Sequence, residues 1–211
     1  MSRYIDASCR QCRREGTKLF LKGSRCLTEK CSVEKRAYAP GQHGQQQARR
    51  RKASQYSRQL REKQKVKRLY GLTERQFRNT FERVMHEEGV TGENLLIALE
   101  TRLDNVVYRM GFASSRKAAR QLVSHGHVEV NGHRLDVPSA VVRQGDEVRL
   151  RPSSKDLESV MVALDLASKG QTVSWLAVDR EGRTGRLTER PTRSTIPVAA
   201  EEQLIVELYS K

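Results

Sequence analysis

The cysteines are the residues of this 211-residue chain whose spacing predicts chemistry. Cys9 and Cys12 form a C-x2-C pair, and Cys26 and Cys31 follow as a C-x4-C pair. Two thiolates of a C-x2-C pair can bind one metal ion, and a second pair completes a tetrahedral site with Zn–S bonds of about 2.3 Å. The sequence therefore predicts one zinc ion on these four cysteines, with an iron–sulfur cluster on the same ligands as the alternative.

Unrelated free thiols, two disulfides or a redox C-x2-C motif are the other interpretations of this pattern. The polar segment between the two pairs offers little apolar surface, so a metal would supply folding energy that burial cannot. The N-terminus lacks the apolar region of a secretory signal, which favours a cytoplasmic protein with reduced thiols. No βαβ pattern surrounds the C-x2-C pair, which argues against a redox role.

The charge of the chain predicts a polyanionic partner. The net charge is +15, and residues 1–70 hold 20 Lys and Arg against 5 Asp and Glu. Nucleic acid is the first candidate for the partner, and an anionic membrane surface is the second. No run approaches the roughly 18 apolar residues of a membrane span, so we expect no membrane association.

We expect residues 1–45 to form an N-terminal arm cross-linked by the metal ion. A basic helical stretch follows this arm and is the first part of a helical domain (46–92). Its cations lie nearly all around the helix while Glu62 is its only acid, so the helix would repel itself without an anion beside it. We therefore expect these cations to contact RNA phosphates. They are Arg49, Arg50, Arg51, Lys52, Arg58, Arg61, Lys63, Lys65, Lys67 and Arg68.

Residues 93–152 predict a small α/β module. Apolar periodicity predicts a helix over residues 94–110 and a second over 116–125, and Asn131-Gly132 predicts a type I′ hairpin before a last strand at 147–151. The amino end of the second helix adds backbone N–H groups to basic side chains, which suits a phosphate. The candidate RNA contacts here are Ser114, Ser115, Arg116, Lys117, Arg120, His125, Asn131 and Arg134.

The remaining residues, 153–211, are expected to belong to the helical domain. We expect a helix over 155–168, a strand over 172–178, a loop over 180–193, and a tail that packs back on the helical domain. The fold class is therefore α+β, with the small α/β module inserted into a helical domain that carries the metal-stapled arm.

Residues 102–132 (RLDNVVYRMGFASSRKAARQLVSHGHVEVNG) resemble the bacterial-type small-subunit ribosomal protein four family, as do residues 39–44 and 203–211. The cysteines resemble the zinc-binding branch of that family. The resemblance implies a primary binder of small-subunit ribosomal RNA that nucleates assembly of the subunit body. It also implies neighbouring ribosomal proteins as partners, notably number five, at an interface that affects translational accuracy. It further implies a position near the mRNA entry channel and possible repression of the protein's own mRNA.

Two other functions compete with this interpretation. The same module occurs in RNA-modifying enzymes, and a zinc-containing DNA regulator would share the charge and the cysteines. An enzyme needs a converging nucleophile, base and oxyanion donors, and no catalytic residue is predicted here. A DNA regulator needs a helix that reads base edges, whereas the short helix at 116–125 carries a phosphate-directed face. Competition between ribosomal RNA and duplex DNA would separate these cases.

Overall fold

The computed structural model describes residues 4–47, 54–168 and 173–210. The chain divides into two compact units, Met1–Leu95 with Val198–Lys211 and Leu96–Pro197. The sequence had placed residues 153–211 with the helical domain. The structure corrects this boundary, because residues 153–197 belong to the second unit and only the last residues return to the first.

The first unit is helical. Two of its helices, α4 and α10, pack together, and Tyr209 of α10 stacks on Phe81 of α5 with ring centroids 4.5 Å apart. The C-terminal helix therefore packs on other helices of the first unit. The helices are α1 (Ser8–Glu15), α2 (Ser32–Lys35), α3 (Gly44–Gln47), α4 (Gln55–Leu69), α5 (Glu74–Val84), α6 (Thr91–Glu100), which contains the residue where this unit ends, and α10 (Glu202–Tyr209).

Capping side chains start the two long helices of this unit. Ser54 accepts a hydrogen bond from the Ser57 N–H at the start of α4. Thr73 and Gln76 form a capping box at the start of α5, so two otherwise unpaired N–H groups are satisfied. Phe77, Phe81 and Val84 then lie buried on one face of α5, as its apolar periodicity predicts.

The second unit packs helices against an antiparallel sheet. Its described strands follow the order β2-β1-β3-β5-β4, and Val106, Phe112, Val123, Val148 and Trp175 lie in its core. The elements are α7 (Leu103–Arg109), α8 (Arg116–Ser124), α9 (Glu158–Ser168), β1 (Val128–Val130), β2 (His133–Arg134), β3 (Glu147–Leu150), β4 (Leu176–Asp179) and β5 (Thr184–Leu187).

The helix predicted over residues 94–110 is two helices. Arg102 has extended backbone angles, φ −66° and ψ 139°, and pairs with Val141 in an isolated β-bridge. This bridge takes Arg102 out of the helical ladder, so α6 ends at Glu100 and α7 begins at Leu103. The apolar stripe continues on both sides of the break, and its members from Leu95 to Met110 are buried.

The residues after the module also differ from the prediction. The predicted loop at 180–193 contains β5, which pairs with β3 and β4 and joins the sheet. The helix predicted from residue 155 begins at Glu158, after a 3-10 turn at Pro152–Ser154. The strand predicted over 172–178 begins only at Leu176, and residues 169–172 lie outside the described ranges. The described helices include none that is both long and apolar enough to cross a bilayer.

The type I′ hairpin is confirmed. Asn131 and Gly132 connect β1 to β2 with φ values of 51° and 82°. Both central residues of this turn need a positive φ, which Asn and Gly tolerate best. The Asn131 side chain also donates to Asp146 Oδ1 at 2.8 Å and accepts the Glu147 N–H at 2.9 Å, so it ties the turn to the start of β3.

Candidate metal centre and nucleic-acid surface

The predicted metal ligands come from three local elements of the first unit. Cys9 and Cys12 lie on α1, Cys26 ends a 3-10 turn at Gly23–Cys26, and Cys31 precedes α2. All four line one cavity of about 10 Å³, a volume close to that of a single water-sized sphere. The fold therefore gathers four thiols, separated by up to 22 positions in the sequence, around one small cavity.

Backbone groups and burial shape this thiol cavity. The Lys22 N–H donates to Cys26 Sγ at 3.4 Å, and such N–H groups stabilise a thiolate. Burial raises the pKa of the Cys12 thiol; a hydrogen bond with the Leu19 backbone opposes this shift, and the other three cysteines add to it. A bound cation would reverse this shift, because it stabilises the thiolates and displaces the thiol protons.

The donor set fits a soft tetrahedral metal, since four thiols enclose one cavity. Within residues 4–47, 54–168 and 173–210, no three His, Cys, Asp or Glu side chains are drawn together as a ready ligand group. The cysteines are free thiols in this arrangement. The four cysteines therefore fit a metal ion by their ligand type and because they line the same cavity.

The cations of α4 have more acidic partners than the sequence predicts. Glu62 is not their only acid, because Glu15 from α1 and Glu74 from α5 lie against this helix. Of the predicted phosphate contacts on α4, only Arg58 is exposed. Lys63, Lys65, Lys67, Arg61 and Arg68 pair with carboxylates, and Arg49, Arg50, Arg51 and Lys52 lie outside the described residues.

Glu74 of α5 pairs with two of the lysines on α4. Its carboxylate bonds Lys63, and Lys67 Nζ lies 2.7 Å from Oε2. Burial alone would raise the pKa of Glu74, but the hydrogen bonds and charges of the two lysines outweigh it and lower the pKa to about 2. The Tyr209 hydroxyl also donates to Glu74 at 3.2 Å, which links α10 to this group.

In the second unit, the buried carboxylate of Glu100 organises one group of side chains. Arg109 donates to it twice, at 2.8 and 2.6 Å, and Asn105 Nδ2 donates at 2.7 Å. Arg116 Nε donates to Asn105 Oδ1 at 2.8 Å, and its guanidinium lies 4.6 Å from the Tyr108 ring centroid. The predicted RNA contact Arg116 is thus held inside the unit.

Asp104 organises a second group beside the first. Arg102 donates to both of its oxygens, at 3.1 and 2.8 Å, and Arg120 NH1 donates to Oδ2 at 3.1 Å. The three side chains are between 7% and 9% exposed. Arg120, predicted to face RNA, is therefore buried and paired, and it links α8 to α7.

The other predicted contacts of the module are distributed around α8 and the hairpin. Ser115 is the N-cap of α8 and accepts the Ala118 N–H, while Ser114 is exposed and Lys117 is half-buried. His125 and Arg134 are exposed near the carboxyl end of α8. Two exposed predicted contacts, His125 and Arg134, thus lie near the carboxyl end of α8, whereas the sequence predicted a phosphate site at its amino end.

Sequence reasoning missed the acids that hold these arginines. Glu100 and Asp104 lie in an apolar helical stripe, and no local pattern distinguishes them from exposed helix acids. Their roles come from tertiary pairing with Arg109, Arg116 and Arg120 across 9 to 16 residues of sequence. The spacing of Arg116 and Arg120, four residues apart, did predict that the two share one helix face.

Family models match more than two thirds of the chain. Residues 3–100 match the Ribosomal protein S4/S9 N-terminal domain, and residues 101–148 match the S4 domain. These matches cover the cysteine arm, the basic helices and the module with its hairpin. The fold and the matches together define a ribosomal protein that carries an S4 domain.

Full-length relatives make the assignment specific. The chain is 56% identical over 211 residues to the small ribosomal subunit protein uS4 of Syntrophomonas wolfei, with all of both chains covered. It is 53% identical over 212 residues to the proteins of that name from Solibacter usitatus and Thermus thermophilus, again with both chains fully covered. The chain belongs to the small ribosomal subunit protein uS4 family.

Proposed function

We propose that this chain is a structural protein of the small ribosomal subunit and binds ribosomal RNA directly. The observation that carries this proposal is the full-length similarity to proteins of that name, at 53 to 56% identity. The role is structural rather than catalytic, and the place of action is the cytoplasmic ribosome. The net charge of +15 supports the proposal, since a protein inside folded RNA must neutralise phosphates.

The binding mode is contact with phosphate and sugar on folded RNA rather than reading of base edges. Folded RNA presents phosphates and 2′-hydroxyls in a shape that rigid protein units can match. The ion pairs of Glu100 and Asp104 support such rigidity, because Glu100 pairs the end of α6 with Arg109 of α7, and Asp104 of α7 pairs with Arg120 of α8. Arg58 in the first unit and Arg134 in the second are exposed cations available to phosphates.

A finer role follows from the family. We infer that the chain binds early, nucleates the subunit body, and contacts neighbouring ribosomal proteins, number five among them, in a way that affects accuracy. A position near the mRNA entry channel and repression of its own mRNA belong to the same proposal. The presence of two separate compact units supports a protein that joins several RNA helices during assembly.

We also propose one zinc ion on Cys9, Cys12, Cys26 and Cys31, with an iron–sulfur cluster as the alternative. The shared cavity and the Lys22 N–H at Cys26 support this site. Bound metal would supply cross-linking that the small apolar cluster of Cys12, Leu19 and Leu21 cannot provide alone. The cysteines would hold the ion, and their chain segments would be ordered against α4.

Competition binding tests the main proposal. The full chain is mixed with a labelled transcript of small-subunit ribosomal RNA and challenged with unlabelled transcript or duplex DNA at about 0.15 M salt. We expect the RNA to compete at far lower concentration than the DNA. Equal competition would support a DNA regulator instead, and modification of an RNA base by the isolated chain would support an RNA-modifying enzyme.

A further inference from the structure

Two arginines and two histidines from separate positions in the chain meet at the carboxyl end of α8. The helix ends at Ser124, and Gly126 follows with φ +74°. The guanidinium of Arg134, from β2, lies directly against Gly126, where an added Cβ would collide with it. Gly126 therefore lets the hairpin place an arginine head over the last turn of the helix.

Two histidines flank this arginine. The rings of His125 and His127 lie 6.0 Å apart, and His127 Nδ1 is 2.8 Å from the hydroxyl of buried Ser154. Burial lowers the pKa of His127, and the charges of His125, Arg151 and Arg134 lower it further. The two arginines and the two histidines therefore act on one another within one small region of the surface.

This group has less compensating negative charge than the arginines at the other end of α8. In the described part of the chain, no hydrogen bond or ion pair engages the Arg134 guanidinium. Arg151 Nε lies 3.6 Å from Glu129, whose carboxylate is closer to Arg149, at 2.7 Å. Like charges held together repel, so an anion placed among them would be bound favourably.

The chemistry of the group matches a phosphate. An arginine fork donates two parallel hydrogen bonds to phosphate oxygens, and a neutral imidazole donates one. When Ser154 donates to His127 Nδ1, the ring proton is placed on Nε2, where it is available to an anion. A carboxylate would use the fork as well, but the family of the chain points to RNA as the anion.

We propose that Arg134, Arg151, His125 and His127 form a seat for a backbone phosphate of RNA at the carboxyl end of α8. This inference rests on the proposed function and names the side chains through which the module would contact the RNA. The sequence predicted a phosphate site at the amino end of α8, but there Arg116 and Arg120 are held by Asn105 and Asp104. The proposed seat lies at the other end of the helix. His127 and Arg151 were not among the predicted contacts.

A simpler role for Arg134 is to offset the negative end of the α8 dipole, which is worth about 0.3 to 1 kcal/mol. The two roles differ in what a variant loses. A dipole partner contributes to stability without RNA, whereas a phosphate ligand contributes to binding and to its salt dependence. Unfolding curves measured without RNA therefore separate them.

The test compares two double variants of the full chain. Arg134→Gln with Arg151→Gln removes the seat, and Arg143→Gln with Arg186→Gln removes two exposed charges elsewhere on the same unit. Affinity for a labelled small-subunit ribosomal RNA transcript is measured across a salt series. Thermal unfolding of each variant is measured without RNA.

We expect the seat variant to reduce the log–log salt slope by about 0.7 to 0.9, the value for one phosphate, which corresponds to about fivefold weaker binding at 0.15 M salt. The control pair should keep the wild-type slope, and both variants should unfold like wild type. Three results would contradict the phosphate seat without contradicting the proposed function. They are an equal loss of RNA affinity in both double variants, an unchanged salt slope in the seat variant, and a loss of RNA affinity that is matched by a loss of thermal stability. Failure of the wild-type chain to prefer ribosomal RNA over duplex DNA would overturn the proposed function and this seat with it.

Discussion

Arg120 and Asp104 form an ion pair inside the second unit, with NH1 3.1 Å from Oδ2 and side chains 9% and 7% exposed. The same carboxylate accepts two hydrogen bonds from Arg102. One acid therefore neutralises two buried cations and joins α7, α8 and the bridge at Arg102. The pair explains how a short basic helix is held in a fixed orientation.

Replacing this acid should destabilise the second unit strongly. Asp104→Asn removes the carboxylate that buried Arg102 and Arg120 share, and breaking a buried pair in this way costs about 3 to 5 kcal/mol. Denaturant unfolding of the variant measures the loss. The matched control is Asp156→Asn, which removes an acid whose side chain is 95% exposed and 3.4 Å from Arg183. The control should change stability by less than about 0.5 kcal/mol, and a similar small effect at Asp104 would contradict the structural role.

Local patterns predicted the helices and turns of the chain better than the contacts between them. The capping box at Thr73, the positive φ values at Asn131 and Gly132, and the buried stripe of α7 all follow from short-range rules. The face of α8 that meets α7 is set by tertiary packing. A basic side chain on that face looks the same in sequence whether a phosphate or a buried carboxylate receives it.

β5 shows the same limit for a strand. Thr184-Gly185-Arg186-Leu187 sits between Gly, Arg and Thr residues and has the composition of a loop. It becomes a strand because β3 and β4 both pair with it, and Gly185 permits the close approach of Met110. Its pairing partners are supplied by distant residues, which no window of local sequence includes.

The pairing of Glu74 predicts an acid-dependent stability of the first unit. The pKa of Glu74 is lowered to about 2 by Lys63 and Lys67, so its stabilising contribution is complete above the ordinary value of 4.5 and is lost as the pH falls through about 2. Glu74→Gln should therefore be less stable than wild type near pH 7, by about 0.2 to 1 kcal/mol for each exposed pair lost.

The difference between the two proteins is measured by urea unfolding from pH 7 to pH 2 and should shrink towards zero at the acid end. Glu82→Gln is the control, since its pair with Arg78 lies on the exposed face of α5 with both side chains more than half exposed. A pH-independent difference for Glu74→Gln would show that the lost contacts, rather than the charge, carry the effect.

The proposed metal site predicts a local effect of cysteine replacement. Cys31→Ser removes one of four thiol ligands, so bound zinc per chain should fall and residues 1–45 should lose order. The second unit should stay folded because its core is separate. Elemental analysis and two-dimensional NMR spectra check both outcomes.

Ser32→Ala is the matched control, because Ser32 lines the same cavity without contributing a thiol. It should keep full metal content. A visible absorption band and iron in the purified wild-type chain would favour the iron–sulfur alternative. Unchanged spectra of residues 1–45 after chelation would contradict a structural metal of either kind.

Asn131, a predicted RNA contact, should act mainly on stability. Its amide donates to Asp146 and accepts the Glu147 N–H, and its φ of 51° disfavours most residues. Asn131→Ala loses both bonds and strains the turn, at a cost of about 1 to 3 kcal/mol. Asn131→Gly loses the bonds but tolerates the φ, so it should be the milder variant in denaturant unfolding. The salt slope of RNA binding should stay at the wild-type value in both, and a slope lowered by about one phosphate would instead show that Asn131 touches the RNA backbone.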